Sequence, residues 1–250
     1  MSQVIIVTGA SRGIGAATAR LLGQQGASVT VNYRAARPAA DVVVRDIEAS
    51  GGRAIAVQGD MGSEDDILRM FAESDRTFGP LTGLVNNAGV VGGQKRRIDA
   101  ITFAEAMDIL RVNVAGPLVC AREAIRRMST KNGGKGGAIV NVSSLGALTG
   151  SPHAFIDYAA SKGALDTMTV GLAAETADCG VRVNAVRPGL IDTEIHDSIG
   201  IPDRVKRFGP KMPIGRAGAP SEVAEAIVWL LSDKASYVTG DFINVTGGAR

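Results

Sequence analysis

Val4-Ile5-Ile6-Val7 runs directly into Thr8-Gly9-Ala10-Ser11-Arg12-Gly13-Ile14-Gly15, and Ile14, Ala17, Thr18, Leu21 and Leu22 then recur at helical spacing until Gly26 stops the segment. A strand, a glycine turn and a helix in that order form the context in which a glycine pattern reads as a dinucleotide site. Gly9 permits the tight turn. Gly13 and Gly15 let backbone and helix approach a pyrophosphate seated on the helix N-terminus, with Ser11, Arg12 and Ile14 in the same turn. The spacing is Gly-x-x-x-Gly-x-Gly rather than the more familiar Gly-x-Gly-x-x-Gly.

Working outward, further β-branched runs appear at Ser28–Val31, Ala54–Val57, Leu84-Val85, Ala138–Val142, Val181–Val186 and Phe242–Val245, with longer helical patterns between them. Several runs are apolar throughout, as strands covered on both faces should be. The expected fold class is therefore α/β. It is a single-domain, Rossmann-type, doubly wound parallel sheet of about seven strands spanning residues 1–250, with helices on both faces. No repeat or interdomain linker interrupts it. Gly92 to Asp99 and Asn132 to Gly137 read as loose. Residues 192–218 carry Pro202, Pro210 and Pro213 with Gly200, Gly209, Gly215 and Gly218, and read as a substrate lid.

At 45% hydrophobic and 21% charged, the 250 residues suit one domain with a substantial core. The net charge of +2 includes no long basic block; Lys95-Arg96-Arg97 and Arg126-Arg127 are short, so no nucleic-acid partner is expected. No apolar run reaches the ~20 residues of a membrane helix. Met1-Ser2-Gln3 leads straight into the first strand, which leaves no room for a signal peptide. Cys120 and Cys179 lack metal-ligand spacing and read as reduced, half-buried thiols. The expectation is a cytoplasmic protein without a metal.

The second strand ends in Asn32-Tyr33-Arg34, with Arg37 close behind. A carboxylate for a ribose 2′-hydroxyl would stand here in an NAD site, and none does. Arg12 and Arg34 suit a 2′-phosphate, because guanidinium forks bind phosphate in two-pronged fashion. NADP is therefore expected, NAD less so. Asp60 and Met61 follow the third strand and would flank the adenine. Asn86-Asn87-Ala88-Gly89 closes the fourth strand at the edge where ligands bind.

Tyr158 and Lys162 stand one helical turn apart behind Val140-Asn141-Val142-Ser143-Ser144. A cation beside a phenol lowers the phenol's pKa, so the pair is a plausible acid/base unit. Of the two serines, Ser144 is the better candidate for the site, because it is the last of the pair at the strand end. Strand alternation puts Ser143 and Ser144 on opposite faces, although Ser143 is an alternative in register. His153 and His196 lie in loops and read as exposed or substrate-facing.

In order and spacing, Thr8–Gly15, Asn86–Gly89, Val112-Asn113-Val114, Ser143-Ser144, Tyr158–Lys162 and Arg187-Pro188-Gly189 resemble the short-chain dehydrogenase/reductase family from about Val4 to Gly248. Within that family the chain looks most like bacterial sugar (glucose 1-) dehydrogenases and oxidoreductases without a known substrate, and it is also similar to the 3-oxoacyl-carrier-protein reductases. The resemblance implies a tetrad of Asn113, Ser144, Tyr158 and Lys162. Ser144 would hold the substrate oxygen and Tyr158 would exchange the proton. Lys162 would bind the nicotinamide ribose, and Asn113 would fix a water linked to Lys162.

Hydride transfer between NADP and a sugar or other small polar alcohol, or the matching carbonyl, is the leading expectation. Reduction of a 3-oxoacyl thioester, a catalytically silent dinucleotide sensor or scaffold, and epimerisation or dehydration on the same fold are the alternatives. Pro188, Gly189, Ile191 and Thr193 would meet the nicotinamide end, with Ile195, His196 and Ile199 facing substrate. A homotetramer is also implied, in keeping with the apolar segments Phe103 to Met128 and Tyr158 to Ala177.

Overall fold

The structure, a computed structural model, describes residues 3–93, 97–195 and 200–250. Among these residues, seven strands form one sheet: β1 (Val4–Val7), β2 (Ser28–Tyr33), β3 (Arg53–Gln58), β4 (Gly83–Asn86), β5 (Gly137–Val142), β6 (Val181–Pro188) and β7 (Phe242–Val245). The order is β3-β2-β1-β4-β5-β6-β7, and every pairing is parallel. The direction of winding reverses between β1 and β4. A crevice opens at such a switch point, outside the carboxyl ends of the strands.

Both faces of the sheet are covered, which is why its central strands are apolar without alternation. Ile5, Val7, Val29 and Val31 pack against α1 (Gly13–Gln24), α2 (Arg37–Ala49) and α9 (Pro220–Leu231). Val4 and Ile6, one residue out of phase, pack against α3 (Glu64–Phe78), α5 (Gly116–Met128) and α7 (Ile156–Thr176). Phe71 of α3 is fully buried there. Burying a side chain of that size stabilises the fold by about 1.5–3 kcal/mol.

The segment Phe103–Met128, read from sequence as one long apolar stretch, divides into α4 (Phe103–Leu110), a widened π-turn (Arg111–Ala115) and α5. A capping box opens α4: Thr102 Oγ1 accepts from the Glu105 amide, and the Glu105 carboxylate accepts from the Thr102 amide at 2.9 Å. The π-turn carries Asn113, and such bulges are frequent at functional sites.

Residues 192–218 are not all loop. Among the described residues they contain α8 (Arg204–Phe208) and a 3₁₀ turn (Gly209–Lys211). The base of the segment is pinned by a bridge between Ile191 and Gly218, with the Asp192 amide donating to Gly218 O at 2.9 Å. Five and three residues are too few to show helical periodicity in sequence, so these turns read as loop. A further short helix, α6 (Gly146–Thr149), follows β5.

Candidate active site

The loop after β1 is held by its neighbours more than by its own contacts. Gly9 and Gly13 adopt φ of +61° and +55°, the left-handed region that favours glycine. A Cβ on Gly9 would stand 2.9 Å from Ala88 Cα, and one on Gly15 would stand 2.4 Å from Asn87 Nδ2. The end of β4 therefore packs directly onto the glycine loop. Asn87 Nδ2 donates to Thr8 O at 2.8 Å and to Gly9 O at 3.0 Å, and Thr8 Oγ1 accepts from the amides of Asn87 and Ala88. Asn32 completes the frame: its Oδ1 accepts from the Gly9 amide at 2.9 Å and its Nδ2 donates to Gly59 O at 3.1 Å.

Of the residues assigned to the tetrad and to the cofactor, all but Gly15 and Asn113 line one cleft of about 380 Å³ at the carboxyl ends of the strands. Gly15 lies beneath the loop. Asn113 lies behind the cleft, fully buried, with its Oδ1 accepting from the Val90 amide at 2.8 Å. Its Nδ2 donates to Val90 O at 2.8 Å and to Ser161 Oγ at 3.0 Å. Both amide protons are thus consumed within the protein. His196 and Ile199, read as touching substrate, and Lys95 and Arg96 lie outside the described residues. His153 is exposed with φ of +57°, in the turn before Tyr158.

The cleft suits a dinucleotide on this chain's own features. The N-terminus of α1 has no side-chain cap and no acid in its first turn, which leaves its amides and positive dipole end for an anion. Arg12 and Arg34 are exposed at the cleft rim, without a salt-bridge partner among the described residues. Arg37 does not line the cleft; it is paired to Asp41 at 2.7 Å and stacks over Tyr33. Asp60 Oδ1 accepts from the Gly62 amide at 2.8 Å, and its other oxygen lies 3.6 Å from Arg111. Met61 is buried beside Cys120, whose thiol burial pushes up to about 12. Cys120 and Cys179 are fully buried rather than half-buried, because both sit in the layer under the sheet.

At the other end of the cleft, Lys162 Nζ donates to Val142 O at 2.7 Å, below the Tyr158 ring and 5.6 Å from its centroid. Burial lowers the Lys162 pKa to about 8, with Asp166 opposing the shift. Burial also raises the Tyr158 pKa; a hydrogen bond from Ser144 and the Arg204 charge oppose it. Sequence spacing pointed instead to Lys162 as the group that lowers the tyrosine pKa. Here the amine is itself desolvated and turned toward the strand end, so burial dominates both groups.

The two serines lie just past the end of β5, so strand alternation does not separate them, and both line the cleft. Hydrogen bonding separates them instead. Ser143 is buried, with its Oγ donating to Lys162 O at 3.3 Å. Ser144 Oγ accepts from the Gly146 amide at 3.0 Å and stays within reach of the phenol.

Sequence reading missed Arg204, the Val142 carbonyl and the Asp166–Arg187 pair at 2.9 Å. A backbone acceptor leaves no mark in residue identity, and Arg204 sits in a segment without periodicity.

Comparison with known proteins follows the same outline. Residues 9–250 match the family model described as Enoyl-(Acyl carrier protein) reductase. Uncharacterized oxidoreductase YgfF of Escherichia coli (strain K12) is 51% identical over 245 residues, covering 98% of this chain and 99% of that protein. The 3beta-hydroxysteroid dehydrogenase 1 of Eggerthella lenta is 38% identical over 247 residues, covering 98% and 93%. The crystal structure of a short-chain type dehydrogenase/reductase from Mycobacterium marinum superposes with a TM-score of 0.91 at 32% identity, covering 98% of this chain and 94% of that one. The chain belongs to the short-chain dehydrogenase/reductase family. It is an NAD(P)-dependent oxidoreductase acting on CH–OH and carbonyl groups.

Proposed function

We propose that the protein uses NADP(H) to interconvert a secondary alcohol and its ketone, with Tyr158 as the general acid/base. The observation that carries this reading is the stack at the end of β5: Ser144 beside Tyr158, and Tyr158 above a Lys162 amine held by Val142 O, in the cleft that also contains the glycine loop. A bound nicotinamide supplies or accepts the hydride. Ser144 donates a hydrogen bond to the substrate oxygen, where negative charge develops during reduction. Tyr158 hands its proton to that oxygen, or removes one in oxidation. Lys162 binds the nicotinamide ribose and, in its charged form, favours the phenolate. Asn113 positions Val90 and Ser161 behind it.

The preference for NADP rests on the missing acid at the end of β2 and on Arg12 and Arg34 at the rim. At that strand end the Asn32 side chain is spent on Gly9 and Gly59. The sequence favours a sugar or other small polar alcohol as substrate. Beside Tyr158, however, Val91 and Phe155 are buried, and Ile195 and Ile201 pack against them. That wall favours a less polar body than a sugar. The name of the Eggerthella lenta relative, a hydroxysteroid dehydrogenase, agrees with an apolar substrate.

Residues 192–218 act as the lid. Thr193 lies over the glycine loop, its Cγ2 3.2 Å from where a Cβ on Gly13 would stand. We also read the protein as a homotetramer, and as cytoplasmic, since two free buried thiols suit a reducing compartment. A spectrophotometric screen at 340 nm tests the reading, with secondary alcohols, ketones, sugars, steroids and oxoacyl thioesters against both cofactors. Turnover of an alcohol–ketone pair with NADP(H) is expected. Substrate conversion without net change in cofactor would replace it with epimerisation or dehydration.

A further inference from the structure

The lid contains three arginines, and they are not alike. Arg207 lies 3.7 Å from Asp203, and Arg216 pairs with Glu222 at 2.8 Å; both are solvated ion pairs. Arg204, the first residue of α8, is only partly exposed and has no carboxylate partner among the described residues. Its guanidinium lies 5.6 Å from the centroid of Phe155, a side chain only 5% exposed. Phe155 belongs to the apolar wall with Val91, Ile195, Ile201 and the Tyr158 ring. Arg204 therefore stands over Phe155 and lies close enough to Tyr158, which lines the cleft, for the two charges to interact.

A guanidinium with no carboxylate partner among the described residues, set against an apolar cluster and partly stripped of water, is costly unless something pairs with it. The face of Phe155 offsets part of that cost. Among the described residues no hydrogen-bond acceptor takes up the N–H donors of Arg204, which form a planar fork that matches a carboxylate. Burial lowers the pKa of Arg204, the direction expected of a cation that lacks an anionic partner. An arginine present only to anchor the lid would more naturally pair on the surface, as Arg207 and Arg216 do.

We propose that Arg204 is a specificity-determining residue that binds a carboxylate of the substrate, so that the alcohol or ketone turned over at Tyr158 is carried by a hydroxy or oxo carboxylic acid with a compact apolar body. This rests on the proposed oxidoreductase reading of the same cleft and narrows its substrate class. The apolar wall receives the body, Arg204 receives the carboxylate, and the reacting carbon lies between them at Ser144 and Tyr158.

Binding of cyclohexanecarboxylate and of cyclohexanecarboxamide to the protein saturated with NADP⁺ tests the proposal by calorimetry, because neither probe can react. Wild type should bind the acid at least about tenfold more tightly than the amide, in line with the ~1.5–3 kcal/mol of a hydrogen bond to a charged group. Arg204→Gln should bring the two probes within about threefold of each other, chiefly by weakening the acid. Arg204→Lys should restore part of the preference.

Equal binding of acid and amide by wild type would overturn the proposal. So would an equal loss of both in Arg204→Gln, the result expected of an arginine that only holds the lid on Phe155. Tyr158→Phe separates the two readings: it should keep the preference for the acid while losing turnover. A protein that shows the Arg204-dependent preference but never oxidises or reduces a cofactor would refute the oxidoreductase reading alone.

Discussion

Lys162 Nζ and the carbonyl oxygen of Val142 are 2.7 Å apart, so the last residue of β5 holds the amine of α7 beneath Tyr158. The sheet positions the lysine, and the lysine in turn underlies the phenol.

That placement has a consequence for stability. Below about pH 8 the folded protein holds a charged, buried ammonium, while above it the amine is neutral. In the unfolded chain a lysine keeps its proton to about pH 10.4. The unfolded state thus binds more protons between these values, and this group makes the protein more stable as pH rises through the window. Lys162→Met removes the term. Denaturant melts at pH 7 and pH 10.5 should show the variant losing ground to wild type at the higher pH, by on the order of 3 kcal/mol. A difference that does not change with pH would mean that the amine is not desolvated.

The two serines should separate in kinetics. Ser144→Ala removes the hydroxyl beside the phenol, and kcat/KM should fall about 10²-fold, the scale of losing one oxyanion donor. Ser143→Ala removes a buried hydrogen bond to the Lys162 carbonyl and should cost less than about tenfold. The reverse order would reassign the substrate oxygen to Ser143.

Cofactor choice should follow Arg34. Calorimetric titration should give tighter binding of NADP(H) than of NAD(H). Arg34→Asp should weaken NADP(H) about 10- to 100-fold, in line with ~1.5–3 kcal/mol for a hydrogen bond to a charged group. The same substitution should leave NAD(H) unchanged or improved. Tighter NAD(H) binding by wild type would refute the 2′-phosphate assignment.

The sheet was legible in the sequence because a strand covered on both faces must be apolar throughout. Val4–Val7 and Phe242–Val245 are strands over the residues read, and the others extend by one or a few residues. Arg53, Gln58 and Pro188 escaped because strand ends pair through the backbone, which tolerates polar or proline side chains there. Glycine positions were legible because Gly9 and Gly13 need positive φ. The π-turn at Arg111–Ala115 was not, since one wide turn leaves apolar spacing almost unchanged. The ionisation of Tyr158 was misread for a related reason: spacing gives proximity, but burial, which outweighs it here, comes from the rest of the fold.

The tetramer reading has a definite surface. Phe103 is 83% exposed, and Met107 and Leu110 follow it at i+4 and i+7, so α4 carries an uncovered apolar stripe. Leu118 of α5 and Val170 of α7 are also exposed. Light scattering at micromolar concentration should give the mass of four chains, and Phe103→Glu with Met107→Glu should shift it to smaller species. A monomeric wild type would leave the stripe without this role.

The most direct test of the central claim is Tyr158→Phe, assayed at 340 nm with the best alcohol–ketone pair from the screen, alongside calorimetric binding of NADP(H). The variant should bind cofactor as wild type does and turn over about 10²–10⁴-fold more slowly, the usual contribution of a general acid/base. Turnover within tenfold of wild type, with binding unchanged, would contradict the account and place the proton transfer elsewhere.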